Sequence, residues 1–189
     1  MARLIFSSIT SLDGYVADSD GDFQWAAPDA EVHGFINAVQ RSARTFLFGR
    51  RMYEVMRAWE SIDDNEPVMQ DFAAQWHAAD KLVYSRTLDR VDTARTELRR
   101  DFDVAEVVRL KERSLHDLVI GGPGLAAEAL RAGLVDEIHQ FICPWIVGGG
   151  TAFLPDGLRM PLQLLEERRF EASGVVYLRY GVASAPTSK

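Results

Sequence analysis

Strand-like and helix-like segments alternate along the first two thirds of this chain, and their order restricts the fold more than any other feature of the sequence. Short runs of β-branched and apolar residues are typical of strands, and apolar residues at helical spacing are typical of amphipathic helices. Because parallel strands need long crossover connections, the alternation favours a mainly parallel sheet with helices on both faces. It predicts strands at residues 3–10, 45–48, 81–84 and 117–120, and helices at 28–42, 52–59, 101–113, 125–132 and around Met69, Phe72 and Trp76.

The last third of the chain has a different pattern. Residues 137–145 form one long predicted strand, and segments 162–170 and 175–182 are separated by Ala172-Ser173-Gly174. Such a pair of segments is typical of an antiparallel hairpin, so the predicted sheet is mixed. With 189 residues, 47% of them hydrophobic, the chain is long enough for one domain with a substantial core. We expect a single α/β domain over residues 1–183 and a mobile polar tail at 184–189.

Composition excludes several classes of function. A net charge of −7 argues against a nucleic-acid surface, because phosphate backbones select basic patches. No run of eighteen apolar residues suggests a membrane span, and the chain opens on a strand-like segment without the features of a signal peptide. We therefore expect a cytoplasmic protein that binds neither nucleic acid nor membranes.

The sequence also argues against a metal site. Its one cysteine, Cys143, excludes a disulfide framework and a zinc site built on paired cysteines, and is expected to be a small buried residue. The loop that carries Asp18, Asp20 and Asp22 resembles a calcium loop in spacing but lacks the terminal glutamate, which favours a solvated loop. The four histidines show no metal-binding spacing, and His33 is expected on a helix surface.

A glycine-rich turn is the first of three segments suited to an anionic ligand. Gly121-Gly122-Pro123-Gly124 joins a predicted strand to a helix that begins near Leu125. Missing side chains would let phosphate oxygens approach backbone N–H groups at the start of that helix. A tight strand-to-helix turn explains the same glycines equally well.

Two other predicted strands end in cationic groups. Arg50 and Arg51 directly follow Gly49, and arginine is the side chain best matched to phosphate. Surface arginines at a helix start are the alternative, although the helix dipole makes cations slightly unfavourable there. Ser85-Arg86-Thr87 offers two hydroxyls and a guanidinium, which suit the 2′-phosphate of NADPH. Because ligands of open α/β sheets bind at the carboxyl ends of strands, the three segments together indicate a nucleotide site.

These segments resemble motifs of the dihydrofolate reductase-like superfamily. Within it, the chain is similar to stand-alone proteins related to the C-terminal reductase domain of bifunctional riboflavin-biosynthesis deaminase/reductases. The resemblance covers nearly the whole chain and rests on motifs in family order. They are Ser11-Leu12-Asp13-Gly14, Gly49-Arg50-Arg51-Met52-Tyr53-Glu54, Ser85-Arg86-Thr87, Gly121-Gly122-Pro123-Gly124-Leu125, the segment 133–138, and Pro144 with Gly148-Gly149-Gly150.

The resemblance implies a three-layer dihydrofolate reductase-like fold, a homodimer and an NADPH site. It implies that Gly49, Arg50 and Met52 lie near the adenosine phosphate, that Ser85 and Arg86 lie near the 2′-phosphate, and that residues 121–125 lie under the pyrophosphate. The implied reaction is hydride transfer to a small heterocyclic or carbonyl substrate, pterin-like or pyrimidine-like. A non-catalytic dinucleotide- or flavin-binding protein of the same fold is the alternative.

Candidate catalytic residues come from the first loop and helix. Trp25 matches a family tryptophan near the nicotinamide or substrate pocket, and a hydrophobic lid over the core is its alternative role. Asp29 or Glu31 is predicted to supply the proton that accompanies hydride transfer. Asp13 is a third choice, and a turn residue before Gly14 is its alternative. The family's residues that hold a phosphoribosyl group are replaced in segments 49–56 and 63–67.

Overall fold

The computed structural model describes residues 1–183, so the tail predicted at 184–189 lies outside the described residues. Five helices and two short 3₁₀ turns, Gln24–Ala26 and Arg57–Glu60, accompany ten strands within this range. The helices are α1 (Ala30–Gln40), α2 (Arg50–Met56), α3 (Pro67–Ala78), α4 (Val104–Arg113) and α5 (Pro123–Arg131). The strands are β1 (Leu4–Thr10), β2 (Tyr15–Ala17), β3 (Ala43–Gly49), β4 (Asp80–Tyr84), β5 (Thr96–Arg99), β6 (Asp117–Gly121), β7 (Glu137–Ile142), β8 (Thr151–Ala152), β9 (Leu162–Arg169) and β10 (Val176–Val182).

Eight strands form one mixed sheet in the order β5-β4-β3-β6-β1-β7-β10-β9. The neighbours from β5 to β7 are parallel, and β10 pairs antiparallel with both β7 and β9. β1 lies inside the sheet, where Phe6 is in register with Ile120 of β6 and Ile138 of β7. The predicted mainly parallel sheet with a C-terminal antiparallel hairpin is confirmed.

Helices cover both faces of this sheet. On one face, Phe6 and Ile120 pack with Leu130 of α5 and Val107 of α4. On the other face, residues of the central strands pack with Phe72 and Trp76 of α3, and Val32 of α1 joins a third cluster near β7 and β10. Successive residues of a strand point to opposite faces, which is why the three consecutive apolar residues within each of β1, β3 and β6 contribute to both cores. No helix in the described range is long and apolar enough to span a bilayer.

The predicted strand at residues 137–145 was too long, and three strands were missed. β7 ends at Ile142, and Pro144, which has no N–H to continue a ladder, follows soon after. β5 was missed because it is an edge strand in which charged residues alternate with Thr96 and Leu98. β2 and β8 were missed because they contain only three and two residues and form their own small sheet.

Gly150 lies where the loop after β7 passes the end of β2. Its φ is +129°, and a Cβ at this position would overlap the carbonyl oxygen of Ala17 and the backbone of Asp18. The following residues, Thr151 and Ala152, pair with β2. A glycine is therefore required both by the backbone conformation and by the close approach of the two loops.

A buried carboxylate joins β7 to its neighbouring strands. Glu137 is 6% exposed and accepts hydrogen bonds from Arg3 at 2.7 Å, from Arg179 at 2.8 and 3.1 Å, and from His139 at 3.0 Å. Burial alone would raise the pKa of Glu137, but the hydrogen bonds from Arg179, His139 and Arg3 outweigh it and lower that pKa to about 2. The network lies at the amino-terminal end of β7, away from the ends where ligands of such sheets bind.

Candidate functional site

The three segments predicted to bind an anion lie side by side at the carboxyl ends of neighbouring strands. β4, β3 and β6 are adjacent and parallel, so their carboxyl ends meet. Residues 85–87 follow β4, residues 49–52 connect β3 to α2, and residues 121–125 connect β6 to α5. The topology thus brings together groups that are more than seventy residues apart along the chain.

Direct contacts link the cationic segments. Arg50 donates from one terminal nitrogen to the hydroxyl of Thr87 at 2.9 Å and from Nε to Glu54 at 2.8 Å. The guanidinium therefore connects the start of α2 to the turn after β4. Arg51, the next residue, is exposed. Both cations lie at the carboxyl end of β3, as predicted. Arg50 is held by its hydrogen bonds, and Arg51 is exposed to solvent.

Two glycines of the turn after β6 are required by the fold. A Cβ at Gly121 would lie 2.8 Å from the ring of Phe48 and 3.2 Å from Cγ of Met52. Gly122 has a φ of +90°, and a Cβ there would lie 3.2 Å from Cβ of Met52. Gly124 differs, because its Cβ position meets no atom of residues 1–183 within 4 Å. A tight turn thus explains Gly121 and Gly122 but not Gly124.

The first turn of α5 offers unpaired backbone donors. Gly122 precedes the helix without a side-chain cap, and Pro123 has no N–H. The N–H of Ala126 is bound to the carbonyl of Gly122 at 3.0 Å. Within the described chain, the N–H groups of Gly124 and Leu125 have no acceptor. Such donors at a helix N-terminus, beside an open glycine, suit a phosphate oxygen.

The turn after β4 holds the predicted 2′-phosphate residues. The buried hydroxyl of Ser85 accepts the N–H of Thr87 at 3.3 Å and of Leu88 at 3.0 Å, which leaves its own proton free to donate. Arg86 forms an ion pair with Asp101, and its Nε lies 2.7 Å from Oδ1. The Arg86 side chain is 80% exposed. It can therefore turn towards a ligand at little packing cost.

Two residues beside this turn were missed in the sequence. Arg100 donates to the carbonyls of Ser85 at 3.3 Å and Leu88 at 2.6 Å, and Asp101 pairs with Arg86. Both follow β5, which was not recognised as a strand. Recognition of that strand would have marked its carboxyl end as a fourth part of the site.

The next strand ends along the sheet belong to β1 and β7. Asp13, after β1, accepts the N–H of Val147 at 3.2 Å and of Gly148 at 2.8 Å, after β7. Hydrogen bonds from Ser11 and from these backbone groups lower the pKa of Asp13. Asp13 thus fastens two loops together, which extends the turn role considered as its alternative.

Exposed apolar side chains surround these loops. Leu12, Trp145 and Ile146 are 64%, 54% and 70% exposed, and the N–H of Leu12 is bound to the carbonyl of Trp145 at 2.7 Å. Leu12 follows β1 and Trp145 follows β7, so these apolar groups lie beside the three segments predicted to bind an anion rather than among them. This rim suits the flat face of an uncharged ring.

The three predicted catalytic residues have structural contacts. Asp29 is the N-cap of α1 and accepts the N–H of Val32 at 2.8 Å. Glu31 forms an ion pair with Arg168 at 2.9 Å, and both side chains are about half exposed. Trp25 is half-buried, and its Nε1 donates to the carbonyl of Asp22 at 3.1 Å. Their parts in catalysis stay predictions.

The prediction that His33 lies on a helix surface was wrong. His33 is 9% exposed, and its ring centre lies 5.7 Å from that of Trp59 and 6.1 Å from that of Phe72. It is buried because this side of α1 packs against α3, and desolvation lowers its pKa. Cys143 is buried as predicted. The Asp18 loop is exposed, and the Asp18 carboxylate accepts N–H groups of the loop itself.

A comparison with protein families decides the classification. The model of the RibD C-terminal domain matches residues 2–177. The chain belongs to the RibD C-terminal domain family. This family is the reductase domain of RibD, so the resemblance stated from the motifs is confirmed, and membership supports a reductase-type function.

Two relatives of this RibD-type chain show how far the similarity extends. The uncharacterized protein YyaP of Bacillus subtilis is 28% identical over 182 residues, which is 94% of each protein. The riboflavin biosynthesis protein RibD of Mycobacterium tuberculosis is 28% identical over 153 residues, which is 78% of this chain and 43% of that protein. The chain therefore spans less than half the length of the mycobacterial relative.

Solved structures confirm the fold of the RibD-type chain. The diaminohydroxyphosphoribosylaminopyrimidine deaminase/5-amino-6-(5-phosphoribosylamino)uracil reductase of Thermotoga maritima superposes with a TM-score of 0.66 at 17% identity over 96% of this chain and 57% of that one. Dihydrofolate reductase from Enterococcus faecalis, complexed with NADP(H), superposes with a TM-score of 0.63 at 13% identity over 96% and 97% of the two chains. The predicted dihydrofolate reductase-like fold is confirmed.

Proposed function

We propose that this protein is an NADPH-dependent reductase that transfers a hydride to a small heterocyclic or carbonyl substrate. The observation that carries the proposal is that three neighbouring parallel strands end on the same side of the sheet. Their ends carry the free N–H groups of Gly124 and Leu125, the Arg50 guanidinium, and Ser85 with Arg86. The reductase family and the dihydrofolate reductase-like fold support it.

Each phosphate group of a dinucleotide has residues in this chain that suit it. The N–H groups of Gly124 and Leu125 would bind the pyrophosphate, where a side chain at Gly124 would intrude. Ser85, Arg86 and Thr87 would bind the 2′-phosphate through two hydroxyls and a guanidinium. Arg50 and Arg51 would add positive charge on the adenosine side. When bound, NADPH supplies the hydride, and the chain supplies position, charge and a proton route.

The substrate side of the proposed site is apolar. Leu12, Trp145 and Ile146 would contact a planar ring, and Trp25 would cover it or lie over the core. A pyrimidine-like or pterin-like ring would suit this apolar surface. The names of the Thermotoga and Enterococcus neighbours support the same class of substrate. We propose Asp29 or Glu31 as the proton source.

The first prediction separates ligand binding from folding within one turn. Gly124→Ala should weaken NADPH binding at least tenfold, because its methyl group enters the space proposed for the pyrophosphate. Its free energy of unfolding should be unchanged or higher by up to about 1 kcal/mol, because alanine restricts the unfolded chain. Binding is measured by energy transfer from tryptophan to the nicotinamide and by calorimetry, and stability is measured by urea unfolding.

Gly121→Ala is the matched variant. Its added Cβ would meet the ring of Phe48 and the side chain of Met52, so we expect a loss of about 1–3 kcal/mol in unfolding free energy. Undiminished NADPH binding by Gly124→Ala would place the pyrophosphate elsewhere. Calorimetry that detects neither NADPH nor NADH on the wild-type protein would overturn the reductase proposal.

A non-catalytic nucleotide-binding protein of the same fold is the second candidate. The observation that favours it is that both predicted proton donors have other partners, since Asp29 caps α1 and Glu31 pairs with Arg168. Steady oxidation of NADPH in the presence of any pterin, quinone or aldehyde of a broad panel would decide for the enzyme. Tight NADPH binding without turnover across that panel would decide for the binding protein.

We further propose a cytoplasmic homodimer whose protomers each fold as one domain over residues 1–183. β7 lies between β1 and β10 inside the sheet, so on this side of the sheet the free strand edge belongs to β9 of the C-terminal hairpin. β9 has one free edge, and its Leu162, Leu164 and Leu165 are 39–47% exposed. Two such edges can pair about a two-fold axis.

The second prediction concerns this assembly. Light scattering at micromolar concentration should give twice the chain mass of 21.2 kDa. Leu164→Glu should give the monomer mass, because it places a charge in the proposed interface. Leu115→Glu, at an exposed leucine outside β9, should leave the dimer intact. A monomeric wild-type protein would contradict the proposal.

A further inference from the structure

Asp101 lies where a cofactor's 2′-phosphate would have to compete for Arg86. β4 and β5 are parallel neighbours in which Tyr84 is in register with Arg99, so residues two positions beyond each strand end lie opposite one another. Arg86 Nε lies 2.7 Å from Asp101 Oδ1. The guanidinium proposed to bind the 2′-phosphate is therefore already paired with a carboxylate.

The backbone around Asp101 is anchored on both sides. Phe102 packs edge-to-face against Tyr84 with ring centres 5.4 Å apart, and Asp103 caps α4 through the N–H of Ala105 at 2.9 Å. Arg99 is joined to β4 through its carbonyl, which accepts the N–H of Ser85 at 2.9 Å. These contacts hold the Asp101 carboxylate beside Arg86, although both side chains face solvent.

We infer that Asp101 sets the cofactor selectivity of this site by competing with the 2′-phosphate of NADPH for Arg86. The inference rests on the proposed function. A phosphate that binds Arg86 must either displace the carboxylate or share the guanidinium with it, and in both cases two negative groups lie close together, which costs free energy. NADH carries a 2′-hydroxyl instead, which leaves the ion pair intact and can donate to the carboxylate. Asp101 therefore narrows the preference for NADPH that Arg86 alone would give.

If the Arg86–Asp101 pair only stabilised the fold, loss of the carboxylate would lower the unfolding midpoint and leave ligand affinity unchanged. The Arg86 and Asp101 side chains are 80% and 66% exposed, and exposed ion pairs contribute little to stability. Loss of the carboxylate should therefore leave the unfolding midpoint in urea unchanged. It should change the affinity for a phosphorylated ligand instead.

The test compares dissociation constants for NADPH, NADH, 2′,5′-ADP and 5′-AMP by calorimetry. Asp101→Asn, which keeps the size of the side chain, should tighten NADPH and 2′,5′-ADP at least fivefold and leave NADH and 5′-AMP unchanged or weaker. Arg86→Ala should weaken NADPH and 2′,5′-ADP at least tenfold with little effect on NADH. In the double variant, the gain from Asp101→Asn should disappear, because the competition needs Arg86.

Glu97→Gln is the control for net charge. Glu97 belongs to β5, the strand that precedes Asp101, and pairs with Arg99 at 2.6 Å, so its loss removes one negative charge without touching Arg86. Equal tightening by Glu97→Gln and Asp101→Asn would overturn the inference, and so would an unchanged affinity in Asp101→Asn when Arg86→Ala is selective for NADPH. Failure of the wild-type protein and of Asp101→Asn to bind any of the four ligands would overturn the proposed function itself.

Discussion

Glu137→Gln should lower the free energy of unfolding by about 3 kcal/mol, because it removes the buried negative charge that accepts hydrogen bonds from Arg3, Arg179 and His139. The Glu137 carboxylate accepts hydrogen bonds from Arg3, Arg179 and His139 between β1, β7 and β10. Glutamine keeps one acceptor oxygen, but its amide group turns two donor hydrogens towards groups that are themselves donors. Urea unfolding at neutral pH measures the loss.

The pH dependence of this effect follows from the lowered pKa of Glu137. The folded-state pKa is about 2, whereas the ordinary value is 4.5, so between these pH values the unfolded chain binds more protons. The stabilisation is complete above about pH 4.5 and is lost as the pH falls towards 2. The difference in unfolding free energy between wild type and Glu137→Gln should therefore narrow by about 3 kcal/mol across this window.

Glu166→Gln is the matched control for the network. Glu166 lies 3.5 Å from the same Arg179, but its side chain is 42% exposed. Exposed pairs contribute about 1 kcal/mol or less, so this variant should unfold almost as the wild type does. A similar loss in both variants would show that burial of Glu137 does not govern the stability of the network.

Gly150→Ala should destabilise the protein by about 3–5 kcal/mol and disturb the loops that meet at the proposed substrate side of the site. At a φ of +129°, alanine is strained, and its Cβ would overlap the backbone of Ala17 and Asp18. Backbone atoms cannot rotate away as side-chain ends can, so β2 and β8 would have to separate. Urea unfolding and the near-ultraviolet circular dichroism of the aromatic residues measure the two effects.

Gly149→Ala separates the two causes of this strain. Gly149 has a φ of +150°, but its Cβ position meets nothing within 4 Å in residues 1–183. It should therefore carry only the cost of the backbone conformation, about 1–3 kcal/mol. If Gly149→Ala were as destabilising as Gly150→Ala, the approach of the two loops would not be what requires glycine at position 150.

Hydrophobic periodicity was enough to predict the architecture but not its edges. The buried strands β1, β3, β4 and β6 each contain three consecutive apolar residues, so the sequence shows them clearly. β5 was not predicted as a strand, because Glu97 and Arg99 give this edge strand the composition of a loop. Lys81 is fully buried, and its ammonium donates to the carbonyls of Trp76 and Ala79 at the end of α3. Such burial depends on tertiary contacts that no local pattern contains.

The candidate site was predictable where backbone chemistry defines it. Glycines and cations at strand ends marked the three segments, because topology requires the ends of neighbouring parallel strands to meet. The roles of single residues were less accessible to the sequence. The sequence shows only that Asp29 and Glu31 carry carboxylates, whereas the fold gives Asp29 a capping hydrogen bond and Glu31 an ion pair. His33 was assigned to the surface because the partner helix that buries it is distant in sequence.

The position of β1 also constrains how the chain is made. β1 ends at Thr10, yet its two neighbours in the sheet are β6 and β7, which begin at Asp117 and Glu137. At ordinary rates of translation, roughly 5–20 s pass between synthesis of β1 and synthesis of β6. During that interval an apolar strand has no partner on the ribosome. The sheet can therefore be completed only after the C-terminal third has been synthesised. Nascent chains that stall earlier would expose an unpaired apolar strand to chaperones and proteases.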